Sequence, residues 1–230
     1  MSERPYVLLS CAMSIDGYID DAKDTRLLLS NDADFDRVDA VRAGCDAILV
    51  GAHTIRRDDP RLLVRCQDRR EARVARGLPP SPTKVTLTAH GDVDPAAAFF
   101  TAGDVDKIVY AASRAADQVR ARIGGLAVVV DAGDPVDLAQ VLADLAGRGI
   151  GRLVVEGGRS THTQFLTAGL ADELHLVVAP FFVGDCRASR FVGDGAFPWN
   201  PDRRANLAEV RQIGDVVLLR YALSDRFGAG

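Results

Sequence analysis

The chain has 230 residues, 47% of them hydrophobic and 26% charged, with a net charge of −4. Folding at this length buries enough apolar surface to need neither disulfides nor a structural metal. The charge balance excludes a coat for duplex nucleic acid or a membrane surface, which carries a net basic footprint. The basic residues are 25 arginines and three lysines, Lys23, Lys84 and Lys107, an excess suited to geometric recognition of carboxylates or phosphates.

Met1 to Cys11 has the outline of a lipoprotein signal, but the apolar run from Tyr6 is too short and Asp16 follows at once. No run reaches membrane-spanning length, and the cytoplasm is the expected location. Short runs of Val, Ile and Leu then predict strands at Tyr6–Ala12, Ala47–Val50, Val85–Thr88, Ile108–Ala111, Ala127–Val130, Leu153–Val155 and His175–Val178. Between the first two, Asp32–Ala43 reads as a helix with Phe35, Val38 and Val41 on one face, Asn31 as cap and Gly44 as stop. Residues 65–82, rich in arginine and ending Pro79-Pro80-Ser81-Pro82, read as a long surface loop. Helices follow at Ala115–Ile123, at Val136–Gly147, where Leu138, Val141, Leu142 and Leu145 form a core-facing stripe, and at Ser160–Ala168. Gly214-Asp215 between Glu209–Ile213 and Val216–Tyr221 signals a hairpin. The pattern predicts a single three-layer α/β domain, a mainly parallel sheet with crossover helices and an antiparallel C-terminal hairpin.

Three segments can carry chemistry. Ser14-Ile15-Asp16-Gly17 is a strand exit. His53 to Arg65 follows the Ala47–Val50 strand and Gly51, where open α/β sheets bind ligands. Its Asp58-Asp59 pair amid four arginines forms either a polar pocket for an anion or a solvated ion-pair loop. Glu156-Gly157-Gly158-Arg159-Ser160-Thr161 places a glycine pair between a strand and a helix start. That is either a phosphate-binding turn or a tight connection, and it matches neither GxGxxG nor GxxxxGK[ST]. His53, His90, His162 and His175 show no ligand spacing, and His175 reads as a core histidine. Cys11, Cys45, Cys66 and Cys186 lack zinc spacing and read as reduced thiols, so no metal is expected.

Ser14-Ile15-Asp16-Gly17, Gly51 with Thr54, Asp58-Asp59-Pro60-Arg61-Leu62 with Arg65, Glu156-Gly157-Gly158, and Ala171-Asp172-Glu173-Leu174 with Ala179-Pro180 and Gly184 follow one another in a specific order and spacing. Together they resemble the reductase of riboflavin biosynthesis, the RibD C-terminal family with a dihydrofolate-reductase-like fold, over nearly the whole chain. The resemblance implies NADPH-dependent hydride addition to the ribose C1 of a phosphoribosylaminopyrimidine, giving the ribityl form. It implies a cofactor bound by Ala12, Gly51, Thr54, Asp58, Gly157, Gly158, Arg159, Ser160, Thr161 and on to Gln164. Arg114 is the expected cation for the 2′-phosphate. The implied substrate contacts are Ser10, Arg42, Leu62, Arg65 and Glu156, with Asp58 and Glu156 as the catalytic carboxylates.

Many bifunctional members have a lysine where this chain has Ser10; Leu28 and Ala89 replace an aromatic and a serine. Ser10 is similar to the small polar residue of stand-alone reductases, some of which act on the diamino pyrimidinone before deamination. A first strand at Tyr6 leaves no room for the zinc deaminase of the two-activity proteins, so a reductase alone is expected, and the resemblance implies a homodimer. Two alternatives accompany this reading: a related reductase of a pteridine or pyrimidine such as dihydrofolate, and a nucleotide-binding protein without turnover.

Overall fold

The computed structural model describes residues 4–23, 25 and 27–228. Residues 1–3, the start of the signal-like segment, lie outside this set. The described chain forms two compact units, one of residues 4–5 and 39–154 and the other of residues 6–38 and 155–228. The division does not fall in the 65–82 stretch. Nine strands, parallel and antiparallel, carry the helices. No helix is long and apolar enough to cross a membrane among the described residues.

In the first unit the strands are β2 (Ala47–Gly51), β3 (Thr83–Thr88), β4 (Lys107–Ala111), β5 (Val128–Asp131) and β6 (Arg152–Val155), in the order β5-β4-β3-β2-β6. The β2–β3, β3–β4 and β4–β5 pairs are parallel, so the turns that leave β2 and β4 emerge at one end. Ile48, Leu49, Val85 and Val109 are fully buried, as expected of parallel strands covered on both faces. Helix α6 (Leu138–Gly147) buries the predicted stripe Leu138, Val141, Leu142 and Leu145, and Asp137 caps it by accepting from the Ala139 and Gln140 amides.

Lys84 is wholly buried on β3. Its three N–H donors meet three acceptors, the carbonyls of Ala98 (3.3 Å), Phe99 (3.0 Å) and Ala102 (2.6 Å). It thereby binds both ends of the short helix α4 (Ala98–Thr101) to the sheet.

Three helices depart from the sequence reading. Besides α4, α2 (Ala52–Asp58) follows β2 directly, and α3 (Gln67–Ala75) occupies much of the stretch read as a loop. Helix α3 has no apolar stripe to reveal it. Val74 is exposed, whereas Arg73 is buried and donates to the carbonyls of Pro79 (2.8 Å), Ala43 (2.8 Å) and Cys45 (2.7 Å). Anchoring by a satisfied guanidinium replaces the hydrophobic face.

The second unit orders its strands β1-β7-β9-β8: β1 (Tyr6–Ser14), β7 (Glu173–Ala179), β9 (Val216–Ala222) and β8 (Asn206–Ile213). β1 and β7 are parallel, and β7–β9 and β8–β9 are antiparallel, which confirms the C-terminal hairpin. Gly214 turns it with φ +62°. Asn31 donates to the Ile213 carbonyl and the Asp215 carboxylate, and its own side-chain oxygen caps α1 (Asp32–Ala43) through the Asp34 amide. The expected α1 stripe differs: Phe35, Val38 and Val41 are only half-buried, and the most buried side chains are Asp34 and Asp39.

One face of this sheet carries a buried polar network. Tyr6 donates to Glu173 (2.9 Å), and Arg220 donates to Glu173 (2.6 Å) and Glu209 (2.7 Å). Arg37, braced by Asp34 (2.6 Å), donates to His175 Nδ1 (3.2 Å). His175 Nε2 lies between the Glu173 carboxylate (2.7 Å) and the Arg220 Nε–H (3.1 Å). Burial pushes the His175 pKa down against the pull of Glu173, so the ring is neutral. His175 is a buried, hydrogen-bonded core histidine, as its strand context predicted.

Candidate active site

In the first unit, Gly51 ends β2 and forms the N-cap of α2 in extended conformation. Ala52 and Ile55 anchor α2 in the core, which leaves His53, Arg56, Arg57 and Asp58 exposed and Thr54 half-buried. Asp59 terminates the helix in the left-handed region, φ 41°, and its carboxylate accepts from the Ala98 amide (2.6 Å). Arg56 turns to Asp92 (3.3 Å). The Asp-Asp-Arg segment is therefore a built structure in which Asp59 shapes the backbone and Asp58 stands at its exposed end.

Beyond it, Leu62 is buried with φ +50°, and Arg42 donates to the Leu63 carbonyl (3.2 Å). Arg65 is exposed at the head of α3. Arg114 lies in the first turn of α5 (Ser113–Ile123), where Asp134 accepts from it at 2.9 and 3.1 Å.

In the second unit, Val155 leads through half-buried Glu156 to Gly157, Gly158 and helix α7 (Arg159–Thr167). Gly157 has φ +110°, and the Gly157–Gly158 peptide is cis. The first hydrogen bond of the helix runs from the His162 amide to the Gly158 carbonyl (3.0 Å), and no side chain caps the end. The amides of Arg159, Ser160 and Thr161 therefore precede the ladder and point out of the helix end, where an anion is favoured. Arg159 and Ser160 are exposed, and the Thr161 side chain is buried.

His162 supports this turn from beneath. It is fully buried, and a Cβ at Gly157 would stand 2.8 Å from its Nε2. Burial lowers its pKa to about 4, so the ring is neutral. Its place in the sequence, one turn into α7, carried no motif signal.

Ser10 and Ala12 lie on β1 beside His175 and Val177 of β7. Ser10 is buried next to the polar network, and Ala12 is half-buried. Asp16 secures the strand exit by accepting from Ser14 (2.5 Å) and from the Val183 (3.1 Å) and Gly184 (2.8 Å) amides. Two of the sequence segments, Ser14–Gly17 and Ala179–Gly184, are thus one hydrogen-bonded corner. Among the described residues no cluster of His, Cys, Asp and Glu is placed to hold a metal ion.

The first unit holds a carboxylate- and arginine-bearing loop after a parallel strand, and the second holds a bare glycine turn at an uncapped helix. Fold and groups together define an α/β protein of the dihydrofolate-reductase-like class. More narrowly, the chain belongs to the RibD C-terminal domain family, whose model matches residues 5–219. It is 33% identical over 226 residues to a 2,5-diamino-6-ribosylamino-4(3H)-pyrimidinone 5′-phosphate reductase of Archaeoglobus fulgidus, covering 97% of this chain and 99% of that protein. A protein of the same name from Methanothermobacter thermautotrophicus is 34% identical over 223 residues, covering 96% and 99%. Among solved structures, a pyrimidine reductase-like protein of Corynebacterium diphtheriae superimposes with a TM-score of 0.79 at 22% identity, covering 95% of this chain and 91% of that one. RibD of Acinetobacter baumannii gives 0.77 at 23% identity over 96% of this chain, which spans 58% of that longer chain.

Proposed function

We propose that this protein is an NADPH-dependent oxidoreductase of riboflavin biosynthesis. It reduces the ribosyl group of 2,5-diamino-6-ribosylamino-4(3H)-pyrimidinone 5′-phosphate to the ribityl form. The observation that carries this reading is full-length similarity to reductases of that name, at 33% and 34% identity.

The reduced nicotinamide supplies a hydride to ribose C1 once the ribosylamine has opened to an imine. The chain's own part is to bind and orient. The residues fit a dinucleotide: the N-terminal end of α7 has no side-chain cap, so its leading amides suit a pyrophosphate, and Gly157, whose missing Cβ makes room for the His162 ring, shapes the turn before it. Gly157, Gly158, Arg159, Ser160 and the Thr161 amide are assigned to it, with Ala12 at the nicotinamide end. From the first unit Gly51, Thr54 and Asp58 are assigned to the cofactor. Arg114, steadied by Asp134, is offered to the 2′-phosphate that distinguishes NADPH from NADH. Ser10, Arg42, Leu62, Arg65 and Glu156 are assigned to the substrate, Arg65 gripping the phosphate with its planar fork. As C1 gains the hydride, the amine nitrogen gains a proton; Asp58 and Glu156 are the carboxylates assigned to hold the reacting groups and that proton. Free cysteines fit a cytoplasmic setting.

The test is NADPH oxidation with the diamino pyrimidinone phosphate, its deaminated counterpart and dihydrofolate. Turnover is expected with the first. NADPH binding without oxidation of any of the three would refute the reading and leave a nucleotide-binding protein. Glu156→Gln is expected to lower turnover about 100-fold while leaving NADPH affinity intact. Equal loss of cofactor affinity would contradict its assignment to substrate.

We also propose a homodimer. Cross-strand register places Leu176 beside Leu219, and Val210 beside Leu219 in turn, on one apolar face of the second unit's sheet. Exposure on that face reaches 49% at Leu207 and 61% at Val210. A second copy is the occupant proposed for it. Val210→Asp is expected to convert dimer to monomer in sedimentation experiments, and a wild-type monomer at micromolar concentration would rule the dimer out.

A further inference from the structure

The backbone of Arg65 is gripped on both sides. Its N–H donates to Asp39 Oδ1 at 2.5 Å, and the Arg70 guanidinium donates to its carbonyl at 2.7 Å. The other oxygen of Asp39 accepts from the next amide, Cys66 (3.1 Å), and from Arg69 (3.0 Å), which balances its charge. Asp39 is buried and Arg65 exposed. Two consecutive amides held by one carboxylate leave little freedom in the backbone torsions around residue 65, and Arg70 fixes the peptide plane that follows. The direction in which the Arg65 side chain leaves the chain is therefore set by the buried Asp39 on one side and the half-buried Arg70 on the other.

From this geometry we infer that Asp39 is a positioning residue for substrate recognition, aiming the Arg65 guanidinium at the substrate phosphate. The inference rests on the assignment of Arg65 to that phosphate above. A planar fork makes two parallel hydrogen bonds only when it arrives in the right plane, so an arginine on an unbraced loop forfeits much of its grip. Asp39 also serves the start of α3, since Cys66 is the N-cap of that helix. A purely structural cap would affect every substrate equally. An aiming role singles out the phosphate.

The experiment compares kcat/KM for the pyrimidinone 5′-phosphate and for its dephosphorylated riboside. Asp39→Asn should reduce the preference for the phosphorylated compound about tenfold, through KM rather than kcat and with the KM for NADPH unchanged. In an Arg65→Ala background the preference is already lost, and adding Asp39→Asn should change it no further. Equal losses on both substrates, or additive losses in the double variant, would overturn the inference. If Asp39→Asn does not fold, Arg70→Met releases the same peptide from its other side and should lower the preference in the same direction. Wild type that fails to oxidise NADPH with either compound defeats the functional reading and this inference together. Wild type that prefers the phosphate, with the preference surviving in Asp39→Asn and Arg70→Met, defeats the brace alone.

Discussion

Gly157→Ala is expected to abolish measurable NADPH binding and to unfold at distinctly lower denaturant than wild type. Gly157 holds φ +110°, a region that an L side chain occupies only with strain. The added Cβ would also lie 2.8 Å from Nε2 of His162, a ring with no exposed surface and therefore nowhere to go. Strain and overpacking together are expected to cost about 3 kcal/mol or more. Relaxing them moves the Gly157–Gly158 turn away from the end of α7, where the amides assigned to the pyrophosphate lie. Fluorescence titration with NADPH should show an affinity loss of at least about 100-fold. Because steric contact and backbone strain are separable, Gly157→Ala combined with His162→Ala should be less destabilised than the sum of the two single changes. Strict additivity, or a Gly157→Ala protein that binds NADPH normally, would sink this account of the turn.

The second large effect concerns acid stability. Glu173 is buried among Tyr6, His175 and Arg220. Burial pushes its carboxyl up, but hydrogen bonds from His175, Arg220 and Tyr6 together outweigh it and hold the pKa at about 2, against 4.5 for the free group. A carboxyl whose pKa is depressed by folding contributes stability that is present above its unfolded pKa and lost as pH falls toward the folded one. The relevant window is therefore pH 4.5 down to 2. Glu173→Gln should cost about 3 kcal/mol at pH 7, because Arg220 and His175 lose the charge they surround. The gap between wild type and variant should narrow by about 2 kcal/mol between pH 7 and pH 3, as the wild-type carboxylate takes up its proton on unfolding. Urea unfolding at both pH values measures it. A gap that stays constant would show that Glu173 is not the group titrating.

Much of the fold was legible in the chain because its signals were local. Of the nine strands among the described residues, seven stand where runs of Val, Ile and Leu predicted them and two where Gly214-Asp215 signalled a hairpin, with ends displaced by a few residues. The α6 stripe and the Asn31 cap were visible because periodicity and cap chemistry act over one or two turns. Helices α2 and α3 were not: α2 is seven residues long and buries only Ala52 and Ile55, too few to make a periodic signal, and the stability of α3 does not come from an apolar face. α3 is secured by the buried guanidinium of Arg73 and by Asp39, whose partners lie tens of residues away in sequence. For α1 the apolar pattern pointed to the wrong residues, since Asp34 and Asp39 take the buried positions once Arg37 and Arg69 neutralise them.

The candidate site divides in the same way. Composition, spacing and resemblance were enough to single out Asp58, Arg65, Glu156 and the glycine pair, because glycine freedom, arginine forks and strand-end carboxylates are properties of the residues themselves. What holds those groups in place was decided only in three dimensions. Asp39 behind Arg65, Asp16 closing the strand exit and Arg220 on Glu173 act through contacts between distant parts of the chain, and His162, only five residues from Gly157, is brought beneath it by the turn between them. A buried polar side chain is tolerated only where the fold supplies its partners, and those partners have no fixed spacing in sequence. The arginine excess that stood out in the composition therefore has two uses. Arg37, Arg73 and Arg220 satisfy buried polar groups, and Arg65, its backbone held by Asp39 and Arg70, stands exposed at the head of α3.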